Sequence, residues 1–79
     1  MTGTAPFDIA RHWHAGEAGC GALIMGLKRQ IGGIEPGDLL RVTALDAAAP
    51  IDIAAWCQMT GHVLIAECHP TYVLKRKDD

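Results

Sequence analysis

Leu23, Ile24, Leu27, Ile31 and Ile34 recur at the three-and-four spacing of a helix, with Lys28, Arg29 and Gln30 on the other face and Gly32-Gly33 as a stop. An amphipathic helix has to lay its apolar stripe against a second layer. In 79 residues that layer must come from the short alternating segments around it. Upstream, Ile9, Arg11 and Trp13 alternate with Ala10, His12 and His14, which predicts a short strand with Ile9 and Trp13 on one face. Downstream, Glu35-Pro36-Gly37-Asp38 suits a type II turn, with Pro at its second position and Gly at its third. A strand follows in which Leu40, Val42 and Ala44 alternate with Arg41 and Thr43, closed by Asp46.

A second, shorter helix is predicted from about Pro50, with Ile53, Trp56, Cys57 and Thr60 at helical spacing and Gly61 as its end. His62–Cys68 and Thr71–Lys75 read as two strands joined at Cys68-His69-Pro70, a hairpin signal. The order is therefore β-α-β-α-β-β. It predicts an α/β (α+β) architecture, a four-stranded mixed sheet with both helices packed on one face. One domain over residues 9–77 accounts for the chain, with 1–8 a loosely held lead-in and 78–79 a tail.

Composition bears on what could hold so small a unit together. Apolar residues make up 49% of the chain, but aromatic ones only 5%, so the core is expected to be thin. Small scaffolds often add disulfides or a metal. The cysteines number three, Cys20, Cys57 and Cys68, and an odd count cannot all pair within one chain. The opening MTGTAPFDIARH lacks the basic start and apolar stretch of a secretory signal, so a reducing, cytoplasmic setting is expected. The formal net charge of −2 comes with no basic stripe beyond Lys75-Arg76-Lys77, which reads as a solvated tail. Direct nucleic-acid binding is not expected. No apolar run approaches the ~18 residues of a membrane span.

Cys20 stands immediately before the first helix, between Gly19 and Gly21, in the glycine-containing loop that also carries Glu17. There its sulfur would lie near unbonded backbone N–H groups and the positive end of the helix dipole. Such a place is expected to lower a thiol's pKa, and the glycines leave the sulfur open to a partner's cysteine. None of Ser, Thr, Asp or Asn occupies the N-cap position, a broken local rule of the kind that marks function. A partly buried, inert thiol is the competing reading.

From Trp13 to Lys77 the chain resembles the TusA/SirA-like sulfur carriers. The resemblance rests on a Cys in a glycine-containing loop opening the first helix, Pro36-Gly37 before a strand and Asp46 at that strand's end. Asp52-Ile53 and Trp56-Cys57 in the second helix, Gly61-His62, and Tyr72-Val73-Leu74 with Lys75-Arg76 complete it. It implies a two-layer sandwich and a role in accepting sulfane sulfur as a persulfide on Cys20 and passing it on. The donor would be a cysteine desulfurase or rhodanese-type protein and the receiver an acceptor protein. No cofactor beyond the transient persulfide is implied, and the chain is expected to be a monomer. Members typically carry Cys-Pro-x-Pro, where this chain has Cys20-Gly21-Ala22-Leu23. His14 stands where many have Asp, and Glu17 where many have Gly, so these two are secondary candidates.

The remaining candidates have plainer readings. Cys57 follows the apolar stripe of helix two and is expected to be buried packing. Cys68, at a strand end, is expected to be exposed and incidental. His62 would complement the dipole at the end of helix two. His12, His14, Cys20 and Cys68-His69 lack the paired spacing of a zinc site, so a metal-binding module is the weakest alternative. A stronger one is a non-catalytic interaction or regulatory module that keeps the fold, motivated by the two missing prolines.

Overall fold

The computed structural model describes residues 8–78, so most of the expected lead-in, and Asp79 of the tail, lie outside the described residues. The elements run β1 (Ile9–Gly16), α1 (Cys20–Ile31), β2 (Leu39–Ala44), α2 (Ala49–Thr60), β3 (Val63–Cys68) and β4 (Thr71–Lys75), the order expected. They form one mixed sheet in the order β1-β2-β4-β3, with β1 parallel to β2 and β4 antiparallel to both β2 and β3. Strands β1, β2 and β3 therefore share a direction. The helices that connect them return the other way, parallel to each other, and their N-terminal turns meet at one end of the sheet.

Turn chemistry sets the joints. The Asp38 N–H donates to Glu35 O at 2.9 Å and Gly37 has φ 89, so Glu35–Asp38 is the type II turn the sequence predicts. Asp46 Oδ2 accepts from Ala48 N–H at 3.0 Å, an Asx turn that leads into α2. Pro50 sits in the first turn of α2, and Gly61 ends it in the left-handed conformation at φ 93. The hairpin turns through a cis His69-Pro70 peptide.

The core lies between helices and sheet. Leu23, Leu27 and Ile31 of α1 and Ile53, Trp56 and Cys57 of α2 meet Leu40, Val42 and Ala44 of β2 and Tyr72 and Leu74 of β4. Each such side chain taken fully out of water contributes roughly 1.5–3 kcal/mol. A seam of this kind holds the domain with all its cysteines free.

Two expectations about the periphery are corrected. Ile9 does not share the core with Trp13: it pairs with Leu39, a register irregularity separates it from Arg11, and it is absent from the core cluster that Trp13 joins. The extra residue at Ala10 moves the alternation to the other face. Nor is Lys75-Arg76-Lys77 solvated throughout: Lys75 and Lys77 are exposed, but Arg76 is half-buried. Lys75 closes β4, and Arg76 exchanges backbone hydrogen bonds with Gly37 and Asp38. The Arg76 guanidinium donates to Ile31 O at 3.3 Å and to Ile34 O. Carbonyls left over at the end of α1 thus receive a cation from the last strand.

Candidate functional site

Gly19 is the N-cap of α1 and Cys20 its first residue. The first intrahelical bond is Leu23 N–H to Gly19 O, 2.7 Å. The amides of Cys20, Gly21 and Ala22 precede it and have no partner within the helix. No side chain caps this end and no acid stands in its first turn. A Cβ at either Gly19 or Gly21 would meet open space, so these glycines leave the mouth unshielded, as the sequence suggested. Cys20 is exposed.

Parallel helices bring α2 against this mouth. Cys20, Ile24, Asp52, Ala55, Trp56 and Met59 line a depression of about 190 Å³. Its walls are apolar apart from the thiol and one carboxylate. Asp52 stands in the first turn of α2, where it suits that helix's dipole, and its Oδ2 is shut away from solvent without a hydrogen-bond partner. Met59, which lines the depression, is 80% exposed and presents a large apolar side chain to water. A second, shallower groove of about 550 Å³ runs along the far side of α2, between Ile51, Ala54 and Ala55 and the start of β3 at Val63 and Leu64.

The electrostatics reverse one expectation. Asp52, by its charge and by hydrogen bonding to the thiol, holds Cys20 above the ordinary thiol range, with lesser upward contributions from burial and from Asp46. A helix N-terminus offers about half a unit of positive charge. Asp52 sets a whole negative charge beside the same sulfur. The anticipated lowering at the helix mouth is therefore overridden by the neighbouring helix.

Of the other candidates, Glu17 and His14 are exposed and do not line the Cys20 depression. His14 stacks against His12 with ring centroids 4.0 Å apart, and His12 Nε2 lies 2.9 Å from Thr43 Oγ1. His12 is held below the ordinary imidazole range by desolvation, by His14 and by Arg41. Among the described residues, no three His, Cys, Asp or Glu side chains come together as a metal site. Cys57 is buried, and burial pushes its thiol up to about 11. Cys68 is exposed and free. His62 does more than face a helix end: its Nδ1 accepts Lys77 N–H at 3.0 Å and its ring lies 5.2 Å from that of Trp56. It ties the last residues of the chain to α2.

No protein-family model matches the chain. Two curated proteins of Neisseria meningitidis, from serogroups A and B and both named "Putative sulfur carrier protein", are 41% identical to it over 46 residues. Over that stretch the chain is similar to proteins named for sulfur carriage. The match covers 58% of this chain, and the chain spans 62% of the relatives' length. Sequence reasoning placed Asp52 in the second helix but did not pair it with Cys20, because only the meeting of two helix starts brings them together.

Proposed function

We propose that the protein carries sulfane sulfur as a persulfide on Cys20, taking it from a donor protein and yielding it to an acceptor protein. The observation that carries this reading is the exposed thiol at the first position of α1, in a chain whose relatives are named for sulfur carriage. In the accepting step the Cys20 thiolate attacks the terminal sulfur of the donor's persulfide. The donor's S–S bond breaks as the new one forms, the donor cysteine leaves as a thiolate, and no net oxidation occurs. The unbonded amides of Gly21 and Ala22 are donors for the anionic terminal sulfur. A protein partner suits the apolar walls of Ile24, Trp56 and the exposed Met59 better than a small hydrophilic substrate does. A cysteine desulfurase or a rhodanese-type protein is the proposed donor. The proposed setting is the reducing cytoplasm, and no described helix is long and apolar enough to cross a membrane.

The test is intact-mass measurement after incubation with a cysteine desulfurase and cysteine. One added sulfur atom is expected in the wild type and in Cys68→Ser, and none in Cys20→Ser. No mass gain in the wild type, or a gain that survives Cys20→Ser, overturns the proposal. A second reading, a non-catalytic interaction module, is favoured by one feature: the carboxylate of Asp52 raises the Cys20 thiol rather than lowering it. It expects no loading at all.

A further inference from the structure

We propose that the helix-free face of the sheet docks a protein with an acidic surface, through a cationic stripe formed by Lys75, Arg41, His12 and His14. The inference goes beyond sulfur carriage and holds whether or not Cys20 carries sulfur, since Cys20 belongs to the helix layer. Strand alternation assigns the face. Leu40 and Val42 of β2, Tyr72 and Leu74 of β4 and Trp13 of β1 go to the core, so Arg41 and Thr43, Val73 and Lys75, and His12 and His14 turn to the other side. His12 Nε2 lies 2.9 Å from Thr43 Oγ1 and the rings of His12 and His14 stack, which places all three on that side.

The cations are neighbours across the sheet. His12 stands directly opposite Arg41 in the β1–β2 ladder. Arg41 pairs with Val73, so Lys75 is its diagonal neighbour on β4, roughly 7–8 Å away. The stripe therefore crosses three adjacent strands, about 10 Å from β4 to β1. No strand acid interrupts it: Glu67, the one acid on any strand, pairs with Tyr72 of the core and so points to the helix side. Besides desolvation, the groups that act on His12 are His14 on its own strand and Arg41 on the next, both cationic, while the neighbouring Thr43 is a neutral hydroxyl. Positive groups gathered without a carboxylate between them, in a chain of net charge −2, are complementary to an anionic surface. A protein fits this face better than a nucleic acid does. Two permanent cations neutralise few phosphates, and the negative chain repels a polyphosphate backbone. Half-buried Leu39, opposite Lys75 on the same face, offers apolar ground to a second protein.

The experiment is a titration of the 15N-labelled protein with poly-L-glutamate, followed by amide chemical shifts at about 0.01 M NaCl, where the Debye length is ~30 Å. The expected shifts fall on β1, β2 and β4 and fade as NaCl is raised to about 0.15 M. Arg41→Glu should weaken binding at least about tenfold. Lys75→Glu, at an exposed position, should do the same and serves if the Arg41 variant does not fold. Arg29→Glu, the same charge change on the exposed side of α1, should leave binding close to wild type.

A bound carboxylate favours protonated His12 and His14, so protons are taken up on binding and affinity should rise as pH falls from about 8 to about 6. The probe's own carboxylates stay largely ionised over that range. His12→Asn combined with His14→Asn should flatten the dependence. No binding at low salt, equal weakening by Arg29→Glu and Arg41→Glu, or tighter binding of poly(U) RNA than of poly-L-glutamate overturns the inference. The titration needs no sulfur donor, so its outcome is independent of the loading test.

Discussion

Gly26→Ala sets two physical effects against each other. Gly26 is buried in the middle of α1, where alanine should gain about 1 kcal/mol from helix propensity alone. A Cβ there, however, would lie inside van der Waals contact with Cη2 and Cζ2 of the Trp13 ring and 3.1 Å from Cζ3. The ring has little freedom to retreat, since Trp13 pairs with Val42 in the β1–β2 ladder and packs on the core. Overpacking of this kind costs about 1–3 kcal/mol. With two ring atoms obstructed the upper half of that range applies, leaving a net loss of about 1–2 kcal/mol after the propensity gain. In a domain of this size that lowers Tm by roughly 4–16 °C. Urea denaturation followed by far-UV circular dichroism measures it. In a Trp13→Val background the obstruction is gone and the same Gly26→Ala change should stabilise by up to ~1 kcal/mol, a reversal of sign that isolates the contact. A single variant as stable as the wild type, or no reversal with Trp13→Val, refutes the reasoning.

Arg76→Gln should cost about 1.5–3 kcal/mol, the worth of hydrogen bonds from a charged group to the Ile31 and Ile34 carbonyls; an unchanged urea midpoint would show the guanidinium to be dispensable. Native-state titration with a thiol reagent should count Cys20 and Cys68 quickly and Cys57 only on unfolding, because Cys57 is buried. Burial also fixes an alkaline limb. The unfolded Cys57 thiol titrates from about 9.0 and the folded one from about 11, so above pH 9 the unfolded state releases its proton first and stability falls as pH climbs toward 11. Tyr72, also raised by burial, acts in the same sense. Cys57→Ala should shallow that decline in thermal melts taken across the range, and an identical decline would place its cause elsewhere.

Much of the fold was legible because it is written in local chemistry. Pro36-Gly37, Asp46 and Gly61 adopt the turn, Asx and cap conformations their residue types prefer, and the stripe through Leu23, Leu27 and Ile31 is the buried face of α1. What local pattern misled on lies where a distant segment intervenes. Alternation from Ile9 to Trp13 cannot reveal a bulge, since the extra residue is fixed by pairing with Leu39 and Leu40. Arg76 reads as tail charge until β4 lies beside the end of α1, where the Ile31 and Ile34 carbonyls accept from it.

The site divides along the same line: the place of Cys20 in the fold follows from local pattern, and the charge set beside it does not. Cys20 at the start of a helix follows from glycine placement and apolar periodicity, and so does the half charge of that helix end. The whole charge that outweighs it belongs to another helix. Asp52 is where a helix acid should be, in the first turn of α2, stabilising its own helix. Parallel helices on one face of a sheet bring their N-terminal turns together, so an acid that suits α2 confronts whatever opens α1. Here one geometry leaves Cys20 exposed beside amides with no partner within the helix, and it also sets near the sulfur a carboxylate that raises the thiol.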